Sequence, residues 1–120
     1  MTAILTRHDG AVARLTLNRP ERHNAFDDML IGELTAALER LGADAAVHVV
    51  VLDAAGESFS AGADLHWMRR MATQDEAANL ADARALARLM QTLDGLPQPV
   101  IAQVQGAAYG GGVGLVACCD

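Results

Sequence analysis

Val47-His-Val-Val-Val-Leu52 runs into Phe59-Ser-Ala-Gly-Ala-Asp-Leu65, a β-branched, almost wholly apolar segment feeding a turn of small residues. Six such residues predict a strand covered on both faces, as in a parallel sheet flanked by helices. The segments on either side agree. Upstream, Ala11-Val-Ala-Arg-Leu-Thr-Leu17 places Ala13, Leu15 and Leu17 opposite Arg14 and Thr16, the alternation of a half-buried strand. Ala3 to Arg7 is its expected hairpin partner across His8-Asp-Gly10, because Asp-Gly suits tight hairpin turns. Between Met29 and Leu41, Leu30, Leu34, Leu38 and Leu41 recur at helical spacing, with Asp27 and Asp28 as N-terminal caps and Gly42 as the stop. Downstream, Leu65–Ala72 reads as a short helix and Asp75–Leu93 as a long one, carrying Leu86, Leu89, Met90 and Leu93 on one face. Val100 to Gln105 reads as the last strand and a final apolar helix starts near Gly111. The predicted order is ββαβααβα, an α/β architecture.

A second glycine turn, Gly106-Ala-Ala-Tyr-Gly-Gly-Gly-Val-Gly-Leu115, also joins a strand to a helix. Two such turns can direct peptide N–H groups at one ligand, and two fixed N–H donors are what an oxyanion hole requires. Gly110 to Gly112 would leave the first N–H groups of the last helix open. Two other readings compete. The glycines can simply permit close helix–strand packing. A phosphate loop is disfavoured by the lack of a Gly-Lys-Ser/Thr ending.

The chain has 120 residues, 52% of them hydrophobic, with a mean hydropathy of +0.17, which excludes a disordered segment. So apolar a small domain is expected to associate. Fifteen acidic residues against nine Lys and Arg give a net charge of −6, which argues against nucleic acid or an anionic membrane as partner. No run approaches the length of a membrane span, and the N-terminus lacks signal-peptide order, so the expected location is cytoplasmic. Cys118 and Cys119 read as plain buried thiols, and the four histidines lack ligand spacing, so no metal site is assigned.

Four segments, Leu17-Asn-Arg-Pro-Glu-Arg-His-Asn-Ala25, Phe59 to Leu65, Pro97 to Gln105 and Gly106 to Leu115, together resemble the N-terminal half of the enoyl-CoA hydratase/isomerase (crotonase) family. The resemblance implies a spiral of ββα units assembled as a homotrimer or a hexamer of two trimers. It implies an acyl-CoA substrate, with coenzyme A entering as part of the substrate and no separate cofactor. The peptide N–H groups of Ala63 and Gly111 correspond to the family's oxyanion hole. The Arg22-His23-Asn24-Ala25 stretch would line one side of the CoA, the backbone of Ala61 would meet the adenine, and Gly62, Asp64, Leu65 and His66 would continue the binding turn, with Gly110 beside Gly111. Arg19, Arg22, Arg69 and Arg70 are candidates for the CoA phosphates, because guanidinium binds phosphate through paired hydrogen bonds; of the four, Arg22 is preferred, and the others read equally as a solvated helix or loop face. Trp67, Met68 and Met71 are candidates for an acyl-tail wall, and Tyr109 for a neighbour of the thioester.

One position departs from the pattern. Hydratases of the family generally carry a glutamate where this chain has Gly114, so half of their acid/base pair is missing. The other glutamate would lie beyond Asp120, and residues 1–120 read as the N-terminal part of a crotonase-like core domain, truncated at the C-terminal side. Gly114 with Ser60 to Met68 is most similar to bacterial methylglutaconyl-CoA hydratases. The reaction expected of the complete protein is hydration of a 2-enoyl-CoA, with enoyl-CoA isomerisation and a non-catalytic CoA-binding or oligomerisation module as alternatives. Gly114 is expected to leave room for a branched or carboxylated acyl group.

Overall fold

The computed structural model describes residues 2–120. β1 (Ile4–Asp9) and β2 (Val12–Leu17) pair antiparallel with Asp9 opposite Val12. The hairpin turn is therefore Gly10-Ala11 rather than His8-Asp-Gly10, because the ladder continues through Asp9. Gly10 takes the positive φ of 59° that a two-residue hairpin turn demands. On β2, Ala13, Leu15 and Leu17 are fully buried while Arg14 and Thr16 are half-buried on the opposite face, as the alternation predicts.

α1 (Asp28–Gly42) is capped by Asp27 alone, whose carboxylate accepts the Leu30 N–H, and Asp28 lies inside the first turn. Gly42 is the last helical residue, with Ala43 as the C-cap. Leu30, Leu34, Leu38 and Leu41 form the buried face of α1. β3 (Val49–Ala54) is displaced toward the C-terminus relative to Val47–Leu52, since His48 and Val49 first turn their N–H groups to the Ala11 carbonyl. Val50, Val51 and Leu52 are nevertheless buried on both faces, because β3 lies between β2 and β4 (Val100–Ala102) and runs parallel to both. The sheet order is β1-β2-β3-β4.

β4 is shorter than Val100–Gln105. The Gln103 N–H still reaches the Leu52 carbonyl, but the Gln105 side chain donates to the carbonyls of Gly56 and Ser58 as the chain leaves the sheet. It leaves for a second, minimal layer made of single parallel bridges, Phe26 to Ala63 and Ser60 to Ala108. A repeat emerges. β2 is followed by Phe26 and α1; β3 by Ser60 to Ala63, then α2 (Leu65–Thr73) and α3 (Glu76–Asp94); β4 by Ala108 and α4 (Gly111–Ala117). Each turn thus adds one sheet strand, one short bridging strand and a helical crossover, the connection that parallel pairing needs. This is a spiral of ββα units, the crotonase-like α/β fold.

The core lies between the sheet and the helices, where Phe26, Phe59, Leu15, Leu17, Leu52, Leu89, Leu93 and Leu115 are fully buried. Burying each such side chain contributes about 1.5–3 kcal/mol. Leu89 and Leu93 are the fully buried members of the α3 face, and Leu86 and Met90 are half-buried at its margin.

Arg19 and Asp27 form a shielded ion pair at the start of α1, 2.5 Å apart with side chains only 13% and 11% exposed. Burial pushes the Asp27 carboxyl up, but the Leu30 N–H, the Arg19 hydrogen bond and the charges of Arg19 and Arg22 together hold it below the ordinary 3.8. Folding therefore favours the ionised form. The stability that Asp27 contributes is fully present above about pH 4 and is lost as the pH falls through its lowered value. Asp27→Asn should flatten the acid limb of a plot of urea midpoint against pH; an acid limb as steep as that of the parent protein would contradict this assignment.

Candidate functional site

The site grows from three backbone segments that the second layer brings together. The first is a 3-10 turn, Pro20–Arg22, started by a proline at its first positions and left through His23 and Asn24 at φ 51° and 53°. Two consecutive left-handed residues without glycine are strained and need support from their surroundings. Asn24 supplies it. Fully buried, it accepts the Arg19 N–H through Oδ1 at 2.8 Å, and its Nδ2 donates to the carbonyls of Ala55 at 2.9 Å and Ser58 at 3.0 Å.

The second segment is Ser60 to Asp64. The buried Ser60 hydroxyl donates to the Asn24 carbonyl at 3.0 Å and accepts the Gly62 N–H at 3.3 Å. The Ala61 N–H donates to His23 O, the Phe26 N–H to Gly62 O, and the Asp64 N–H to Phe26 O. Asp64 then caps α2, accepting the N–H groups of His66 at 2.9 Å and Trp67 at 3.1 Å, a cap contributing about 1 kcal/mol. The third segment is Tyr109 to Gly112, tied to the second by the Tyr109 N–H bond to Ser60 O.

The second and third segments touch main chain to main chain. Gly62 takes φ 85°, and a Cβ there would stand 3.1 Å from the Tyr109 carbonyl oxygen. A Cβ on Gly110, at φ 51°, would stand 3.7 Å from Gly62 Cα. Just beyond this contact lie the peptide N–H groups of Ala63 and Gly111. Among the described residues, neither has a hydrogen-bond acceptor. A Cβ on Gly111 would overlap the buried Phe26 ring, so this residue must be glycine for the turn to sit where it does.

Beside the Ala63 turn is an open cleft of about 390 Å³. Arg22, His23 and Ala25 form one wall, and Ala61, Ala63, Asp64, Leu65 and His66 the other. Gly62, Gly110, Gly111 and Gly114 do not line it; they belong to the adjoining backbone contact and to α4. The Arg22 guanidinium lies 3.5 Å from the Asp64 carboxylate with its side chain 47% exposed, so it is loosely paired and open to an anion. His23 Nδ1 is 2.9 Å from Ser58 Oγ.

The remaining arginines are placed differently. Arg19 is held by Asp27 and Arg70 by Asp28 at 2.9 Å, while Arg69 is exposed on α2. Trp67 is buried and Met71 packs against the core; Met68, half exposed, and Tyr109, 63% exposed, point outward. Cys118 and Cys119 are half-buried rather than buried. Burial, with Cys118 and Asp120 nearby, pushes the Cys119 thiol up to about 11, so it stays protonated at neutral pH.

The space expected at Gly114 is not open. The Met90 methyl lies 3.1 Å and its sulfur 3.4 Å from where a Gly114 Cβ would be, so a thioether from α3 has moved into the room a side chain would take. Asn24, expected with Arg22, His23 and Ala25 on the CoA wall, does not line the cleft: it is fully buried, its amide spent on the backbone behind that wall, and its part as a support was missed along with those of Ser60 and Phe26. Asn24 carried a signal, since a polar residue tolerant of the left-handed region follows a proline-initiated turn. Ser60 and Phe26 carried none, because their partners are distant in sequence. No helix of the described residues is long and apolar enough to cross a membrane.

Comparison with known proteins matches this arrangement. A sequence model of the enoyl-CoA hydratase/isomerase family covers residues 7–120. A putative enoyl-CoA hydratase of Thermus thermophilus is 40% identical over 92% of this chain, and the 2,3-dehydroadipyl-CoA hydratase of Escherichia coli is 37% identical over all of it. The crystal structure of an enoyl-CoA hydratase from Shewanella pealeana superposes with a TM-score of 0.96 at 47% identity, covering 98% of this chain and 44% of its own. A putative enoyl-CoA hydratase/isomerase (crotonase) from Legionella pneumophila gives the same TM-score and identity over 100% of this chain and 46% of its own. The chain spans less than half the length of the two curated relatives, 44% and 45%. With the ββα spiral, the paired glycine turns and a family match over nearly its whole length, the chain belongs to the enoyl-CoA hydratase/isomerase family.

Proposed function

We propose that the complete protein adds water across the double bond of a 2-enoyl-CoA, with the peptide N–H groups of Ala63 and Gly111 holding the thioester oxygen as it becomes an enolate. The observation that carries this reading is the pair of N–H groups without internal acceptors on two turns locked by the Gly62–Gly110 contact. Donors fixed in advance stabilise developing charge without reorganising, and one of them is typically worth about 10²–10³ in rate. CoA would lie along the adjoining cleft, with Arg22 the phosphate ligand and the Ala61 backbone at the adenine. The likeness to a 2,3-dehydroadipyl-CoA hydratase supports an enoyl thioester as substrate class. 3-Methylglutaconyl-CoA is our preferred substrate within that class. The same reading takes the protein to be a cytoplasmic trimer or hexamer.

Water addition requires hydroxide character at C3 and a proton at C2. Gly114 can supply neither, and Asp64 is engaged by two N–H groups and Arg22. This reading assigns proton transfer to a single acid/base group other than these two, which contributes about 10²–10⁴. That shortage favours isomerisation of a 3-enoyl-CoA as the second reading, since it uses the same oxyanion hole with one base. A non-catalytic CoA-binding module is the third.

Loss of enoyl-thioester absorbance with crotonyl-CoA and 3-methylglutaconyl-CoA tests the hydratase reading in the complete protein. Hydration of either is the expected result. Conversion of a 3-enoyl-CoA without hydration would select isomerisation, and calorimetric binding of CoA without turnover would select the module.

A further inference from the structure

β1 stands at an edge of the sheet. Ala3 O accepts the Asn18 N–H, so along the antiparallel ladder residues 3, 5, 7 and 9 spend their backbone groups on β2. Those of Ile4, Thr6 and His8 point the other way, and among the described residues they meet no partner. Nothing blunts this edge, since β1 pairs through all six residues without a bulge and holds no proline. Beside it runs a groove of about 290 Å³, with Ile4 and Thr6 of β1 on one side and Glu33, Ala36, Ala37 and Arg40 of α1 on the other. Glu33 and Arg40 are opposite in charge and seven residues apart, about 10 Å along the helix. Asp28 and Glu39 of the same helix are paired with Arg70 and Arg88, but among the described residues Glu33 and Arg40 form no ion pair. One carboxylate oxygen of Glu33 accepts the Ala3 N–H at 2.7 Å, which holds the side chain at the edge and leaves the second oxygen open. Midway between the two charges lie the small Ala36, which is exposed, and Ala37.

We infer that the β1 edge and the Glu33–Arg40 side of α1 form a docking surface for a second copy of this chain, related to the first by a two-fold axis. The copy's β1 extends the sheet antiparallel, with Thr6 opposite Thr6 and Ile4 opposite His8, the register in which every outward N–H meets a carbonyl. Thr6, Ala36 and Ala37 line one groove, so the axis between the two Thr6 residues is level with the midpoint of the Glu33–Arg40 pair. Rotation about that axis sets Glu33 of each copy level with Arg40 of the other, the self-complementarity that a two-fold contact requires. The alanines put no bulk between the helices. The inference deepens the hexamer reading above and rests on it, because two trimers are joined by two-fold contacts. It is independent of the acyl-CoA chemistry, since none of these residues lines the Arg22 cleft.

The test is sedimentation velocity of the complete protein and of its Arg40→Glu, Thr6→Pro and combined Glu33→Arg, Arg40→Glu variants over a range of concentrations, with thermal melts to check folding. The parent should sediment as a hexamer. Arg40→Glu sets like charges against each other at two symmetry-related places and should raise the dissociation constant of the two halves by about 10-fold or more. The combined variant restores opposite charges and should restore the hexamer, which a change in the stability of α1 alone would not do. Thr6→Pro removes an N–H that β2 does not use, so it should also release trimers, and it serves should the combined variant not fold. A parent hexamer that Arg40→Glu and Thr6→Pro both leave intact would overturn the inference while keeping the hexamer reading. A parent dimer that Arg40→Glu splits into monomers would uphold the surface while removing the hexamer reading. A parent trimer or monomer, or a folded combined variant that stays dissociated, would overturn the inference.

Discussion

Gly62→Ala is expected to lower turnover of a 2-enoyl-CoA by the complete protein about 10²–10³-fold, the effect of losing one oxyanion donor. The new methyl would stand 3.1 Å from the Tyr109 carbonyl oxygen and 3.7 Å from Gly110 Cα, and neither backbone atom can rotate away. Residue 62 also sits at φ 85°, where an L-residue costs roughly 1–2 kcal/mol. The clash is relieved by moving the two turns apart and the strain by changing φ at residue 62, but Gly62 O and Asp64 N are each held by Phe26 at 2.6 Å. The separation therefore appears between the Ala63 and Gly111 N–H groups. Arg22 stands on the opposite wall of the cleft and the Ala61 N–H is held by the His23 carbonyl, so neither takes part in the Gly62–Gly110 contact, and affinity for free CoA should change little while kcat falls. Steady-state kinetics together with CoA calorimetry distinguish this from general unfolding; wild-type kcat in Gly62→Ala would contradict it.

Asn24→Ala should produce the largest loss of stability, about 3–4 kcal/mol by urea denaturation. The amide satisfies the Arg19 N–H and the carbonyls of Ala55 and Ser58 from a fully buried position; the Ser58 carbonyl keeps its bond from the Gln105 amide, but the Arg19 N–H and the Ala55 carbonyl lose the Asn24 partner, and an orphaned buried group costs about 1–3 kcal/mol. Alanine at φ 53° adds a left-handed penalty that asparagine largely escapes. Asn24→Gly removes that penalty and keeps the orphaned groups, so it should recover roughly 1 kcal/mol and no more. Full recovery in the glycine variant would mean that backbone strain, rather than the three hydrogen bonds, is what Asn24 relieves.

Elements whose information is local were legible in the sequence. Leu30, Leu34, Leu38 and Leu41 announced the buried face of α1, and Ala13, Leu15 and Leu17 that of β2, because periodicity follows directly from which side faces the core. Asp64 and Asp75 stand at the N-caps that begin α2 and α3. The second layer was not legible. Its strands are single bridges at Phe26, Ser60, Ala63 and Ala108, too short for any alternation to register. The premature end of β4 has the same origin, since residues 103–105 already carry the chain toward that layer.

The site divides along the same line. The residues that line the cleft come from two contiguous segments and were recognisable as motifs. Long-range filling was not: Met90 reaches Gly114 from another helix, so an absent side chain read as empty space when it is occupied. The Asn24 and Ser60 bonds likewise join residues more than thirty apart. Backbone donors leave the weakest trace of all, because an unpaired N–H has no residue type. Only the small residues that let the two turns meet betray it.

The crystal structure of the complete protein with butyryl-CoA, a saturated thioester that cannot be hydrated, tests the pairing of Ala63 with Gly111 most directly. The expected result is a thioester oxygen about 2.7–3.1 Å from both peptide nitrogens, with CoA along the Arg22 cleft. An oxygen directed to solvent, or held by only one of the two N–H groups, would contradict it.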